Sequence, residues 1–208
     1  MQQLLEALDQ RGTDQDAQQR FDQRMWADLG ADGAVLVTDL TGFTATTRSR
    51  GILHFLAIFR RCQTICVPII NKHGGSMLKQ EADDLIGLFE EVEDALGAGI
   101  EMIERLDELN AGLAPDEQVG ICVGMEYGRF LRLDDDAFGD PVNVAFKLGE
   151  DLADRGEVLI GATAHARAVA RGFDFSRYAV DGPRRRFTGN VEIEHYALRP
   201  ARADGGEA

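Results

Sequence analysis

From Ile52 to His73 apolar residues recur at Ile52, Phe55, Leu56, Phe59, Cys62, Cys66 and Ile69. That spacing marks one face of a helix, which Pro68 is expected to end or kink. Ahead of it, Ala34 to Thr38 is a short, mostly β-branched run that reads as a buried strand closing on Asp39. Thr41 and Gly42 then offer a helix start. After Gly74-Gly75, Ser76 to Glu81 and Leu85 to Phe89 read as a tight hairpin, with Ala82, Asp83 and Asp84 at its tip. A helix follows from about Val92 to Leu109, then two strand-like runs, Val119 to Met125 and Arg129 to Leu133. Asp134 to Asp136 is a loop, Val142 to Leu152 a helix, and Val158 to Ile160 a strand. A short helix near Ala164 to Val169 precedes two last strands, Phe173 to Val180 and Val191 to Leu198.

Local β pairs mixed with helical crossovers predict an α+β domain, one sheet with helices packed on it. Residues 1–30 are polar, with apolar marks at Leu4, Leu5 and Leu8 and then at Phe21, Met25 and Leu29. They suit two short helices broken near Gly12, an appendage outside the main core. The expected organisation is therefore an N-terminal helical appendage over 1–30, a catalytic domain over 31–200 and a flexible tail over 201–208.

Charge narrows the field. A formal charge of −14 argues against a general nucleic-acid binder, which needs a basic face. No apolar run reads as long enough to span a bilayer, and MQQLLEALDQ lacks the basic start of a signal peptide. Cys62, Cys66 and Cys122 are odd in number and sit in apolar stretches, so they read as small core residues in a reducing compartment. The expectation is a cytoplasmic protein with neither a membrane nor a nucleic acid as partner.

Two carboxylates stand out by position. Asp39 closes an apolar strand and Asp83 sits at a hairpin tip, so neighbouring strands would bring both to one edge. Hard cations bind a few carboxylates together with substrate phosphates. Asp is equally at home capping a helix or making a turn, and position alone leaves that open. In Asp39 to Thr44, DLTGFT, the acid joins a Gly turn whose free backbone N–H groups suit an anion such as a triphosphate. In Phe138 to Asp151, FGDPVNVAFKLGED, a Gly-Asp-Pro turn leads into a helix with Asn143 and Lys147 on one face. That pair could bind a ribose and a phosphate, or be a solvated face.

Together VTDLTGFT, GGSMLKQEADDLIGLF, VGICVGMEYG and AFGDPVNVAFKLGED resemble the class III nucleotidyl cyclases, in the family's order, over roughly Gly33 to Leu198. The resemblance implies a ferredoxin-like core with one mostly antiparallel sheet, and a head-to-tail homodimer with sites at its interface. It implies metal binding, by two Mg²⁺ or Mn²⁺ ions per site, at Asp39, Asp83 and the Leu40 carbonyl. Lys79 and Asp136 would read the base, Asn143 would orient the ribose, and Thr41, Gly42, Phe43 and Thr44 would line the triphosphate. Metal ligands and base readers would come from opposite chains.

Two positions depart from the family. Its transition-state arginine falls at Lys147, which keeps the charge and loses the planar fork. Its phosphate-binding lysine falls near Thr188; Arg184, Arg185 and Arg186 could stand in, or form an ordinary charged loop. A lysine donor beside an aspartate acceptor matches the amino group and ring nitrogen of adenine and mismatches guanine. ATP is therefore the expected substrate, cyclised to 3′,5′-cyclic AMP and pyrophosphate. CTP, whose edge mimics adenine's, is the alternative. A nucleotide-sensing dimer without catalysis is a further alternative, and a generic phosphohydrolase ranks last for want of a base to position water.

Overall fold

The computed structural model describes residues 2–200. In chain order it holds α1 (Gln2–Leu8), α2 (Gln15–Leu29), β1 (Gly30–Leu40), α3 (Phe43–Arg50), α4 (Ile52–Lys72), β2 (Ser76–Glu81) and β3 (Asp84–Phe89). Then come α5 (Val92–Asn110), β4 (Ile121–Arg132), β5 (Ala137–Phe138), α6 (Asp140–Phe146), β6 (Val158–Gly161), α7 (Ala162–Ala170), β7 (Tyr178–Thr188) and β8 (Val191–Pro200). The strands form one sheet in the order β2-β3-β1-β4-β6-β8-β7, with β5 on β4. Among the described residues, β4 and β6 form the one parallel pair. The stretch from β1 to β4 is a βαββαβ unit, so the α+β, ferredoxin-like expectation is met. The tail over 201–208 lies outside the described residues.

β1 lies inside the sheet, between β3 and β4, and is buried on both faces from Gly33 to Thr38, which is why its sequence does not alternate. Ala34, Leu36 and Leu40 join the main core with Phe59 of α4, Leu96 of α5 and Ala164 of α7. Val35 and Val37 face the other way, against Ile86, Val142 and Ala145. The sheet thus carries α4, α5 and α7 on one side and α6 on the other.

The structure corrects several expectations. Pro68 does not end the helix, since α4 runs through it to Lys72. It sits on the exposed side, where water can serve the carbonyl its missing N–H leaves free. α4 is also long and apolar enough, by length and composition, to cross a membrane, contrary to the sequence reading. Part of its apolar surface packs inside this domain, with Phe55, Phe59, Cys62, Cys66 and Ile70 buried, whereas Ile52, Leu53 and Leu56 are exposed. The two runs around Glu126 are one strand, β4. The acid that reads as a break is buried and accepts hydrogen bonds from the backbone N–H of Ala164, 2.7 Å, and Tyr127, 2.8 Å. β7 begins at Tyr178, because Phe173 and Phe175 pack as an aromatic knot (4.8 Å between centroids). It then extends to Thr188, carrying Arg184 to Arg186 on a strand and not on a loop. Asp84 belongs to β3 and pairs with Glu81, which leaves Ala82 and Asp83 as the hairpin tip. The helix expected over Val142 to Leu152 becomes a wide π turn from Lys147 to Leu152.

α6 and this π turn rest directly on β4. A Cβ on Gly124 would come within 2.2 Å of the Gly149 nitrogen and 2.3 Å of the Ala145 carbonyl oxygen, both backbone. Neither can yield without lifting the helix. Gly124→Ala is expected to cost about 1–3 kcal/mol, the range for overpacked cores, read as a lower urea midpoint at unchanged slope. A midpoint equal to wild type would show that the contact is slack.

Candidate active site

Residues two apart on a strand share a face, so Asp39 lies on the α6 side with Val35 and Val37. Asp84, two before Ile86, lies on that same side. Asp83 stands at the hairpin tip beside them, and Glu150 reaches the group from the π turn. Burial first, then the charges of Asp83 and Glu150, push the Asp39 carboxyl up to about 6. Asp84 is also raised, by burial and then by Glu150. It is 7% exposed, and its Oδ1 accepts no hydrogen bond.

Four mutually repelling carboxylates with an unserved buried oxygen suit a hard divalent cation. Among the described residues no three His, Cys, Asp or Glu side chains are placed to hold one ion together. A cation here would therefore complete its shell with water or phosphate oxygens, which is the habit of Mg²⁺. Leu40 is buried at the end of β1, so only its backbone is available.

A cleft of about 550 Å³ opens over this face, walled by Asp84, Asn143, Lys147, Glu150, Asp151 and Val191. Asn143 is exposed on α6, and Lys147 follows one turn later at the start of the π turn. The hydroxyl of Thr188 donates to Asp151 across 2.6 Å, tying the β7–β8 turn to the cleft wall. The neighbouring arginines are engaged elsewhere. Arg184 pairs with Asp181 at 2.6 Å and with Glu157 at 3.3 Å, and Arg185 pairs with Glu194 at 2.7 Å. Arg186 donates to the Arg185 carbonyl.

Lys79 and Asp136, far apart in sequence, meet at 2.8 Å, and Lys79 also holds Glu81 at 2.7 Å. Asp136 Oδ1 accepts from the Ala137 N–H as well, which fixes it at the β4–β5 turn. Neither residue lines the 550 Å³ cleft, nor does Asp39. Thr41 is committed to the Gly120 carbonyl through both its N–H, 2.9 Å, and its hydroxyl, 3.1 Å. Gly42 sits at φ 90°, a turn that L side chains resist, and α3 starts immediately after it. Thr44 is exposed, and Phe43 packs edge-on against Phe55, 4.6 Å between centroids.

Asp84 and Glu150 were not singled out by sequence reasoning. Asp84 reads as a turn residue until the strand pairing is known. Glu150 is seven residues after Asn143, a spacing that would have flagged a common face only in an unbroken α-helix.

No family model matches the chain. A Rhizobium meliloti (strain 1021) protein provisionally named adenylate cyclase 3 is 29% identical over 133 residues, 64% of this chain and 22% of its own length. The chain thus spans about a fifth of that relative, and 15% and 41% of two further curated relatives. Among solved structures, an adenylate/guanylate cyclase/hydrolase from Silicibacter pomeroyi superposes with a TM-score of 0.71 at 21% identity, covering 83% of this chain and 98% of that one. The guanylyl cyclase Cya2 gives 0.68 at 21% identity, over 84% and 95%.

Proposed function

We propose that this chain, which folds as a class III adenylate/guanylate cyclase catalytic domain, is a nucleotidyl cyclase. Its reaction converts ATP to 3′,5′-cyclic AMP and pyrophosphate in a homodimer. The observation that carries the substrate choice is the 2.8 Å contact between Lys79 and Asp136. It pairs a donor with an acceptor, the complement of adenine's N1 and N6 amino group.

Asp39, Asp83 and the Leu40 carbonyl would hold two Mg²⁺ or Mn²⁺ ions, which when bound lower the pKa of the ribose 3′ hydroxyl and neutralise the triphosphate. Asn143 would orient the ribose, so that the 3′ oxygen faces the α-phosphorus. Lys147 would neutralise charge on the departing pyrophosphate as a point charge. Lys79 must exchange Glu81 and Asp136 for the base, so binding replaces one set of hydrogen bonds with another of similar kind.

The direct test is product analysis. The protein is incubated with each of four NTPs and Mn²⁺ or Mg²⁺, and any cyclic nucleotide is identified by mass spectrometry. Cyclic AMP is the expected product. Cyclic CMP as the main product would transfer the reading to CTP. Nucleotide binding without any product would favour a sensing dimer, the reading that Thr188's attachment to Asp151 supports.

Lys79→Glu is expected to shift the ATP:GTP preference toward GTP by about 10- to 100-fold. One mismatched buried polar group costs about 1–3 kcal/mol, and each 1.36 kcal/mol is a decade. An unchanged ratio of kcat/KM values would remove Lys79 from base reading.

A further inference from the structure

We propose that Arg155, on the loop before β6, contacts the substrate directly and grips the terminal phosphates of the nucleotide with its guanidinium. This deepens the cyclase reading and rests on it for the identity of the substrate.

Strand register sets the place. Asp39 pairs with Cys122, and Gly120, two residues before Cys122, shares its face of the sheet. The Thr41 N–H bonds to the Gly120 carbonyl, which carries the pairing of β1 and β4 one step past their ends. Two side chains converge over Gly120. A Cβ there would lie 2.6 Å from the Thr41 hydroxyl and 2.4 Å from Arg155 Nε. Arg155 therefore stands on the Asp39 side of the sheet, beside the turn of Thr41 and Gly42. α3 starts from that turn without a side-chain cap, so its leading backbone N–H groups are open to an anion.

The loop is held while the guanidinium is not. Cys122 Sγ donates to the Ala153 carbonyl, 3.1 Å, and the Gly156 N–H donates to the Ile121 carbonyl, 2.8 Å. These bonds fix the backbone on either side of Arg155. Its own Nη2 has long contacts of 3.5 Å to Gln118 Oε1 and to the Val119 carbonyl, at the edge of hydrogen-bond range. No carboxylate pairs with it among the described residues, whereas carboxylates hold Arg184 and Arg185. Giving up two such contacts costs little. Asp39, Asp83, Asp84 and Glu150 make this edge acidic, and Lys147 offers it a point charge. Arg155 adds the planar fork that takes two phosphate oxygens at once.

The test uses the full chain with Mn²⁺ and α,β-methylene-ATP, whose bridging carbon blocks release of pyrophosphate. Binding is followed by titration calorimetry beside AMP, which lacks the terminal phosphates. Arg155→Ala is expected to weaken α,β-methylene-ATP about ten-fold, the usual cost of one charge-assisted contact, and to leave AMP within about two-fold. Arg155 is exposed, so the variant leaves the core undisturbed. Arg155→Lys keeps the charge and should recover part of the loss. Arg60→Ala, on α4 across the sheet, removes an equal charge and should change neither ligand. Unaltered α,β-methylene-ATP binding in Arg155→Ala would overturn the contact. Equal loss of both ligands would overturn it too, because Arg155 would then only brace Gln118 and Val119. Turnover assayed in parallel separates the two readings. Cyclic nucleotide formed by a wild type whose α,β-methylene-ATP binding is indifferent to Arg155 removes this contact alone. Binding that needs Arg155, without product from any NTP, keeps the contact and removes the cyclase.

Discussion

Asp39→Ala or Asp83→Ala is expected to lower turnover by about 10³-fold while the fold survives. A bound cation contributes several kcal/mol of charge stabilisation in the transition state, and 1.36 kcal/mol is a factor of ten. Survival of the fold follows from the electrostatics of the site. Burial and its acidic neighbours raise the Asp39 carboxyl to about 6, so the folded chain holds that proton more tightly than the unfolded chain does. Stability contributed at this position is present below the ordinary carboxylate range and lost as pH rises to about 6. Removing the carboxyl should flatten that slope, and the variant should be no less stable than wild type at pH 8. Turnover within a few-fold of wild type would sink the metal assignment. A variant that melts earlier at pH 8 would sink the account of the charge cluster.

Two inactive chains are expected to make an active one. If the metal acids serve one site and the ribose and base readers another, each two-fold dimer holds two composite sites. Asp39→Ala keeps its readers and Asn143→Ala keeps its acids. Their mixed dimer has one intact site and one doubly damaged site. Random pairing makes half the dimers mixed, so co-expression should restore about a quarter of wild-type activity. The single chain sharpens the question, because Asn143 and Asp84 wall one cleft together. Demonstrated heterodimers with no recovered activity would mean that each chain completes its own site.

Much of this fold was legible because its signals are local. The buried run into Asp39, the helical stripe after Ile52 and the hairpin after Gly75 each lie within a short window of sequence. The readings that failed depended on distant partners. Glu126 looks like the end of a strand unless one knows that the start of α7 supplies its hydrogen bonds. Arg184 to Arg186 look like a loop until β8 places Glu194 opposite Arg185. In the site, Lys79 and Asp136 were readable as a pair only through the family resemblance, since nothing local predicts their contact. Asp84 and Glu150 were hidden for the same reason, with strand pairing and helix winding deciding where they point.

That winding bears on how chains of this kind can be compared. Between Lys147 and Leu152 the backbone closes wide rings, as in the 2.9 Å bond from the Ala153 nitrogen to the Leu148 oxygen, five residues back. A π turn holds one residue more than an α turn. A homologue shorter by one residue here would keep Asn143 and Lys147 in place and present a different side chain to the acids. Matching such chains without a gap would set Glu150 against the wrong neighbour. A single deletion just after Lys147 should accordingly leave the sheet intact while turning the carboxylate away from Asp84.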